Sequence, residues 1–210
     1  MNILEQIREE LKELNSQVIN HPLLKTAEEG KLKRIVIVNF TINQWYIVNH
    51  DLRSISIGLS RSSSLEELDA FKILLDGDYN ALKELVKLMK ELGIEVKDPL
   101  FYNVSPQAVS YTHYLSWLAN YVKPAEFLFA GIVNLPVWAR VVTRFGDILR
   151  EKYGIKETGF FDSFKGSYTD LEKKIIELNS NSQIERLRTI SYAIQHYEKA
   201  FWDTIYSYNQ

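Results

Sequence analysis

The side chains best suited to do chemistry lie near the C-terminus, where a glutamate adjoins an apolar and aromatic stripe. The stripe recurs at helical spacing: Ile194, Tyr197, Phe201 and Ile205. Glu198 is next to this stripe and one turn from Trp202. A carboxyl group there either pairs with a partner or has a raised pKa, which makes Glu198 a candidate general acid or base. The alternative is a glutamate at the rim that points to water.

Aromatic residues are the second unusual feature, with 12 Tyr, 10 Phe and 4 Trp in 210 residues. Their clusters are Trp45-Tyr46, 111–117, 127–129, 160–164 and 197–208. Buried Tyr and Trp need partners for their polar tips, and several on facing helices would line a slot for a flat ligand. The alternative is that they only fill the core.

Several other chemistries find no support in the sequence. Without cysteine there is neither a disulfide nor a thiolate. The four histidines, at positions 21, 50, 113 and 196, form no pair at metal-binding spacing. We therefore predict no metal site, although ligands converging from separate helices stay possible. A net charge of −2 and the lack of a helix-turn-helix signature argue against nucleic acid.

The composition favours a single all-α domain over residues 1–210. Only 9 Gly and 5 Pro are present, too few for the many turns of a sandwich or barrel. Residues 34–42 are rich in β-branched side chains and read as a strand by propensity. However, residues 33–60 contain one Gly and no Pro, and the chain offers no partner strand elsewhere, so we predict one long buried helix there.

The remaining pattern completes a bundle of seven or eight helices. Further helices are expected up to residue 20 and over 62–75, 79–92, 106–121, 124–153, 158–179 and 182–207, with a break at Asp76-Gly77. Pro136 lies inside one of them and frees the carbonyl of Ile132, which predicts a kink. The charged N-terminus and the absence of a long charge-free apolar run lead us to expect a cytoplasmic protein with no membrane span.

Four short motifs occur in an order and spacing that resemble a known family. They are His21-Pro22 followed by Gly30, Pro106 followed by Tyr111-Thr112, the apolar helix from Ala125-Glu126 to Trp138, and Tyr197-Glu198 with Phe201-Trp202. End to end, the chain resembles the TenA (thiaminase II) family, which has the haem-oxygenase-like all-helical fold. The resemblance implies action on the aminopyrimidine half of thiamin without a cofactor, and a homotetramer or homodimer.

The resemblance also implies roles for particular residues. The family uses a Cys nucleophile, an Asp that holds the pyrimidine amine, and a Glu acid or base; Tyr111 and Glu198 match. The Cys position falls on Asn134 and the Asp position on Gln44, while Phe164 replaces a Tyr. Asn is a poor nucleophile, and Gln can hydrogen-bond a ring amine without offering charge. Asp51, two turns beyond Gln44, is a partial substitute.

The resulting hypothesis is a TenA-like protein of thiamin salvage or degradation whose normal thiaminase chemistry is impaired or altered. It binds a small, flat heteroaromatic ligand, with Glu198 as the catalytic residue. The expected ligand contacts are Gln44, Trp45, Tyr111, Asn134, Phe164, Phe201 and Trp202. The alternatives are a divergent oxygenase of the same fold and a non-catalytic scaffold.

Overall fold

The computed structural model describes residues 2–210, and its regular structure there is entirely helical. The helices are α1 (Ile3–Glu10), α2 (Lys12–Ile19), α3 (Pro22–Glu28), α4 (Arg34–Arg61), α5 (Leu65–Glu91), α6 (Pro106–Tyr121), α7 (Pro124–Tyr153), α8 (Gly159–Asp162), α9 (Thr169–Leu178) and α10 (Ile184–Ser207), with a 3₁₀ turn at Pro99–Phe101 before α6. The predicted all-α fold is confirmed.

Helix α4 confirms the long buried helix predicted over the β-branched segment. Its apolar residues pack into the core at several turns, and Val36, Ile37 and Ile47 are all at most 4% exposed. Intrinsic propensity is a weak preference that such burial overrides. Because α4 runs unbroken for 28 residues, side chains a turn apart share one face along most of the bundle.

Three predicted boundaries are wrong. The first predicted helix, up to residue 20, is divided at Leu11 into α1 and α2. Helix α5 continues through Asp76-Gly77, because its buried face includes Phe71 before the glycine and Ala81 after it. The predicted helix over 158–179 is two helices, α8 and α9. They are separated by a loop in which Gly166 has a φ of 151°, which a helix does not allow.

Helix α7 is the central helix of the bundle. By length and composition it could cross a membrane, but 78% of its most apolar window is buried inside the protein, as in the core helix of a bundle. It continues through Pro136. The carbonyl of Ile132, which Pro136 leaves without its helical donor, accepts a hydrogen bond from Arg8 Nη2 at 2.9 Å.

Candidate active site

A cavity of about 100 Å³ lies where α4, α5, α6, α7 and α10 meet. An engineered cavity of roughly 150 Å³ binds benzene, so this one is smaller than a cavity that holds a single ring. Most of its wall is apolar, with the rings of Trp138, Phe164 and Phe201 among the lining. Six polar side chains also line it: Gln44, Asp51, Asp78, Tyr111, Asn134 and Glu198.

Glu198 is 3% exposed and is held by two donors. Its Oε1 accepts a hydrogen bond from Trp202 Nε1 at 2.7 Å, one turn along α10, and its Oε2 accepts one from Asn134 Nδ2 at 3.3 Å. Burial raises the pKa of Glu198 to about 7, against the opposing effect of the two donors. A carboxyl group with this pKa can both donate and accept a proton at neutral pH.

Asn134, at the position where the family resemblance implies a cysteine, is the centre of a hydrogen-bond network. Its Nδ2 also donates to Gln195 Oε1 at 2.8 Å, and its Oδ1 accepts from the Tyr111 hydroxyl at 3.0 Å. Burial, together with nearby carboxylates, raises the pKa of Tyr111 well above its usual value, so its hydroxyl remains a donor. Asn134 therefore positions the Glu198 carboxyl group and the Tyr111 hydroxyl relative to each other.

A second group of acids lines the same cavity. Asp51 on α4 is 6% exposed and accepts a hydrogen bond from Thr112 Oγ1. Burial raises its pKa well above the usual value, and the charge of Asp78 on α5 raises it further. Burial raises the pKa of Asp78 to about 7. The two carboxyl groups therefore resist being ionised together.

The structure brings most of the predicted ligand contacts to this cavity. Gln44, Tyr111, Asn134, Phe164, Glu198 and Phe201 line it. Trp45 does not, because its indole Nε1 donates to the Lys97 carbonyl at 2.8 Å. Trp202 is fully buried and contacts Glu198 instead of the cavity. Adjacent residues of a helix point about 100° apart, so Gln44 and Phe201 reach the cavity while the tryptophans beside them do not.

Trp138 and Asp78 are among the lining residues that the sequence analysis missed. Trp138 lies one turn after Asn134 on α7, and that spacing could have identified it. Asp78 lies one turn after Leu74, which also lines the cavity, but the mistaken helix break at Asp76-Gly77 concealed their common face.

The His21-Pro22 motif turns out to have a structural role. His21 Nδ1 accepts a hydrogen bond from the Leu23 backbone N–H and so caps α3, while Pro22 takes the first helical position. The other ring nitrogen of His21, Nε2, lies 3.1 Å from Asp203 Oδ1. No histidine lines the cavity within residues 2–210, and in the same range no group of three His, Cys, Asp or Glu side chains could hold a metal ion.

Solved structures define the class of fold. A TenA homologue from Pyrococcus furiosus superposes with a TM-score of 0.83 at 20% identity, over 97% of this chain and 100% of that one. A protein from Sulfolobus solfataricus named as a TenA-like thiaminase gives 0.76 at 20% identity, over 97% and 95%. Haem oxygenase-1 from a Synechocystis cyanobacterium, solved with haem, gives 0.65 at 11% identity, over 100% and 94%. The fold is therefore haem-oxygenase-like.

The chain belongs to the TENA/THI-4/PQQC family, whose model matches residues 8–208. This confirms the resemblance to TenA stated from the sequence motifs. A search of curated proteins found no match.

Proposed function

We propose that this protein is a cytoplasmic, TenA-like protein of thiamin metabolism that binds an aminopyrimidine or a similarly flat heteroaromatic ring in the cavity. One observation carries the proposal: Glu198, a buried carboxyl group with a pKa of about 7, lines an aromatic cavity and is held by two donors. When protonated, Glu198 donates to a ring nitrogen, and when ionised it accepts from a ring amine.

The aromatic wall supplies the second part of this binding. Trp138 packs edge-on against Phe201 and Phe164, with ring centroids 5.8 Å and 5.7 Å apart. Rings fixed in this way present rigid apolar surfaces to a flat ligand. The Tyr111 hydroxyl and the Gln44 amide add hydrogen-bonding groups that orient it.

The same lining argues against the covalent chemistry implied by the family resemblance. No Cys, Ser, Thr or Lys is among the lining side chains of the described chain, and Asn134 is occupied with Tyr111, Gln195 and Glu198. Turnover would require a water molecule that Glu198 activates as a general base. Impaired thiaminase activity, or ligand binding without turnover, follows from this arrangement.

Calorimetric titration with a neutral hydroxymethyl aminopyrimidine tests the binding. We expect wild-type protein to bind it and Glu198→Gln to bind it about tenfold more weakly, a loss of about 1.4 kcal/mol. Glu185→Gln, an exposed glutamate on the same helix, is the matched control and should bind like wild type. The absence of binding to wild type at millimolar ligand would overturn the proposal.

The impaired chemistry has its own test. Combining Asn134→Cys with Gln44→Asp introduces a nucleophile and a charged group to hold the ring, and we expect this double variant to release the thiazole half of thiamin faster than wild type. Asn134→Cys alone should gain little, because it also removes the amide that positions Glu198 and Tyr111. Turnover by wild type as fast as by a thiaminase carrying the Cys would contradict the proposed impairment.

A further inference from the structure

A series of side-chain hydrogen bonds connects the cavity to the surface of the protein. The Tyr111 hydroxyl donates to Asn134 Oδ1, and Asn134 Nδ2 donates both to Glu198 and to Gln195 Oε1, the latter at 2.8 Å. Gln195 Nε2 in turn donates to Oδ1 of Asn15, a half-buried residue of α2. The three amides of Asn15, Gln195 and Asn134, which we call the amide relay, therefore link the surface to the Glu198 carboxyl group.

The inner amides of the relay are removed from water. Gln195 is 0% exposed and Asn134 is 3% exposed. Gln195 does not line the cavity, and within residues 2–210 its side chain is hydrogen-bonded to Asn134 and Asn15. A buried amide normally uses both its oxygen and its NH₂ group. If Gln195 alone turned over, it would set two donors against each other at Asn134 and two acceptors against each other at Asn15.

The relay has two self-consistent directions, and each goes with one protonation state of Glu198. In the direction that the structure shows, Asn134 Nδ2 lies 3.3 Å from Glu198 Oε2 and stabilises the ionised carboxylate. If all the amides turn over together, Asn134 Oδ1 faces Glu198, and only a protonated carboxyl group can donate to it. The direction of the relay and the proton on Glu198 are therefore coupled.

We propose that Asn15 and Gln195 are positioning residues that hold the Asn134 amide with its NH₂ group toward Glu198, so that a surface residue sets which proton state of Glu198 is favoured. This deepens the proposed function, and its consequence for a ligand rests on that function. The same direction uses the Tyr111 proton on Asn134, which leaves the Tyr111 oxygen as an acceptor toward the cavity.

The ionisable groups that line the cavity with Glu198 are Asp51 of α4, Asp78 of α5 and Tyr111 of α6. Helix α7 adds no ionisable side chain to the lining, and α1, α2 and α3, which also pack on α10, add no lining residue within residues 2–210. On α10 itself, Lys199 is paired with Asp203. A charge introduced on α2 thus acts on Glu198 from outside the cavity, and its direct electrostatic effect has a known sign.

Two substitutions at Asn15 distinguish the relay from such a direct effect. Lysine has only donors, so Asn15→Lys forces the reversed direction and should raise the titration midpoint of Glu198 by about half a pH unit or more. A positive charge acting alone would lower that midpoint. Ionised aspartate has only acceptors, so Asn15→Asp keeps the direction and should leave the midpoint at or below that of wild type. Carbon-detected NMR titration of the glutamate side chains measures each midpoint.

Two further variants serve as controls. Gln17→Lys adds the same charge at an exposed position of α2 outside the relay, and its Glu198 midpoint should be equal to or below that of wild type. Gln195→Met interrupts the relay without changing the charge, so in this background Asn15→Lys should no longer raise the midpoint. A midpoint that is unchanged or lower in Asn15→Lys, or that rises equally when Gln195→Met is present, would overturn the proposal.

The titration needs no ligand, so its outcome is separate from that of the proposed function. Failure of the hydroxymethyl aminopyrimidine to bind contradicts the proposed function and leaves the test of the relay intact. Binding of that ligand by wild type, together with an unaltered Glu198 midpoint in Asn15→Lys, overturns the relay alone.

Discussion

Glu198 shows how burial and hydrogen bonding oppose each other at one residue. Burial disfavours the charged carboxylate of Glu198 and raises its pKa to about 7. Hydrogen bonds from the Trp202 indole and the Asn134 amide stabilise the charged form and lower the pKa. Trp202 was expected to contact the ligand, but its position behind Glu198 gives it an indirect role. Its hydrogen bond lowers the pKa of the carboxyl group that faces the cavity, against the larger effect of burial.

Replacing Trp202 with Phe should therefore raise the pKa of Glu198 further. The variant keeps an aromatic side chain but removes the indole N–H, which lowers this pKa. Carbon-detected NMR titration of the glutamate side chains measures the shift directly. Trp117→Phe, a change at a surface tryptophan, should leave the Glu198 titration unaltered. A Glu198 pKa that is unchanged or lower in Trp202→Phe would contradict the role given to the indole.

Individual site residues were predictable to the extent that one helix face carried them. Helical spacing and the family motifs identified Glu198, Tyr111 and Asn134 as site residues, and all three line the cavity. Asp78 was not predictable, because its role depends on the path of α5 past α4. Asp78 shares the cavity with Asp51 and Tyr111, which are distant from it in sequence.

Among the elements, α7 combines an internal proline with an unbroken course. Arg8 from α1 donates to the Ile132 carbonyl, and the same Nη2 forms an ion pair with Glu172 Oε1 at 2.7 Å, on α9. The arginine thus replaces the missing helical donor and links α1, α7 and α9. This contact lies two residues from Asn134 and supports the part of α7 that carries it.

A double-mutant cycle tests whether Arg8 replaces the backbone N–H that Pro136 lacks as the donor to the Ile132 carbonyl. Arg8→Ala should destabilise the protein by about 1–3 kcal/mol, because the Ile132 carbonyl loses its donor. In a Pro136→Ala background the backbone N–H restored at position 136 can bond that carbonyl, so Arg8→Ala should cost about 1 kcal/mol less. Denaturant unfolding measures all four proteins. Additive losses would show that the arginine and the proline are not coupled.

The elements themselves were largely predictable where a stripe of apolar residues was long. Helix α4 was identified despite its β-branched residues, because no turn signal interrupts it. Two of the three boundary errors occurred at glycines. Gly77 is accommodated inside α5, whereas Gly166 adopts a backbone angle that a helix excludes, and the residue type alone does not separate these outcomes.

For the whole molecule, carboxyl groups that are partly or fully removed from water make stability depend on pH. Asp78 and Glu198 have pKa values raised from 3.8 and 4.5 to about 7, so the folded state binds their protons more tightly than the unfolded chain does. Their contribution is complete below about pH 4 and is lost as the pH rises through about 7. Burial lowers the pKa of His21 from its usual value of 6.5, so the folded state binds this proton less tightly than the unfolded chain does. This residue therefore reduces stability as the pH falls below 6.5.

Comparing wild type with Asp78→Asn separates the contribution of Asp78 to the pH dependence of stability from that of His21, which both proteins retain. Asp78→Asn removes this ionisable group, so its melting temperature relative to wild type should rise between pH 5 and pH 8, by about 3 °C or more. Differential scanning fluorimetry at matched ionic strength is sufficient. Asp76→Asn, at an exposed position on the same helix, should show no such trend. A difference in melting temperature between Asp78→Asn and wild type that stays constant with pH would contradict the raised pKa of Asp78.

The surface carries an aromatic patch that we propose as a contact between copies of the chain. Tyr114, Trp117 and Tyr121 of α6 stack in sequence, and Tyr197 of α10 packs on Tyr114 with centroids 5.1 Å apart. Trp117 is 45% and Tyr121 73% exposed. Aromatic side chains are enriched at protein interfaces, and isologous pairing of such patches is the usual route to a homodimer.

Light scattering at micromolar concentration should therefore give a mass at least twice the 24.5 kDa of one chain. Trp117→Glu should shift the population toward the monomer, because a charge would be buried in the contact. Leu65→Glu, at an exposed apolar residue of α5, should not. A wild-type mass equal to that of one chain would refute self-association. An equal effect of Trp117→Glu and Leu65→Glu would show that the contact does not lie in the aromatic patch.

We propose that the cavity between α4, α5, α6, α7 and α10 holds a flat heteroaromatic ring against Glu198. A crystal structure of wild-type protein grown with saturating hydroxymethyl aminopyrimidine tests it most directly. We predict the ring lying among Trp138, Phe164 and Phe201, with one ring nitrogen or the ring amine within hydrogen-bonding distance of the Glu198 carboxyl group. A cavity that contains only water under these conditions, or a ring bound elsewhere on the protein, would contradict the account.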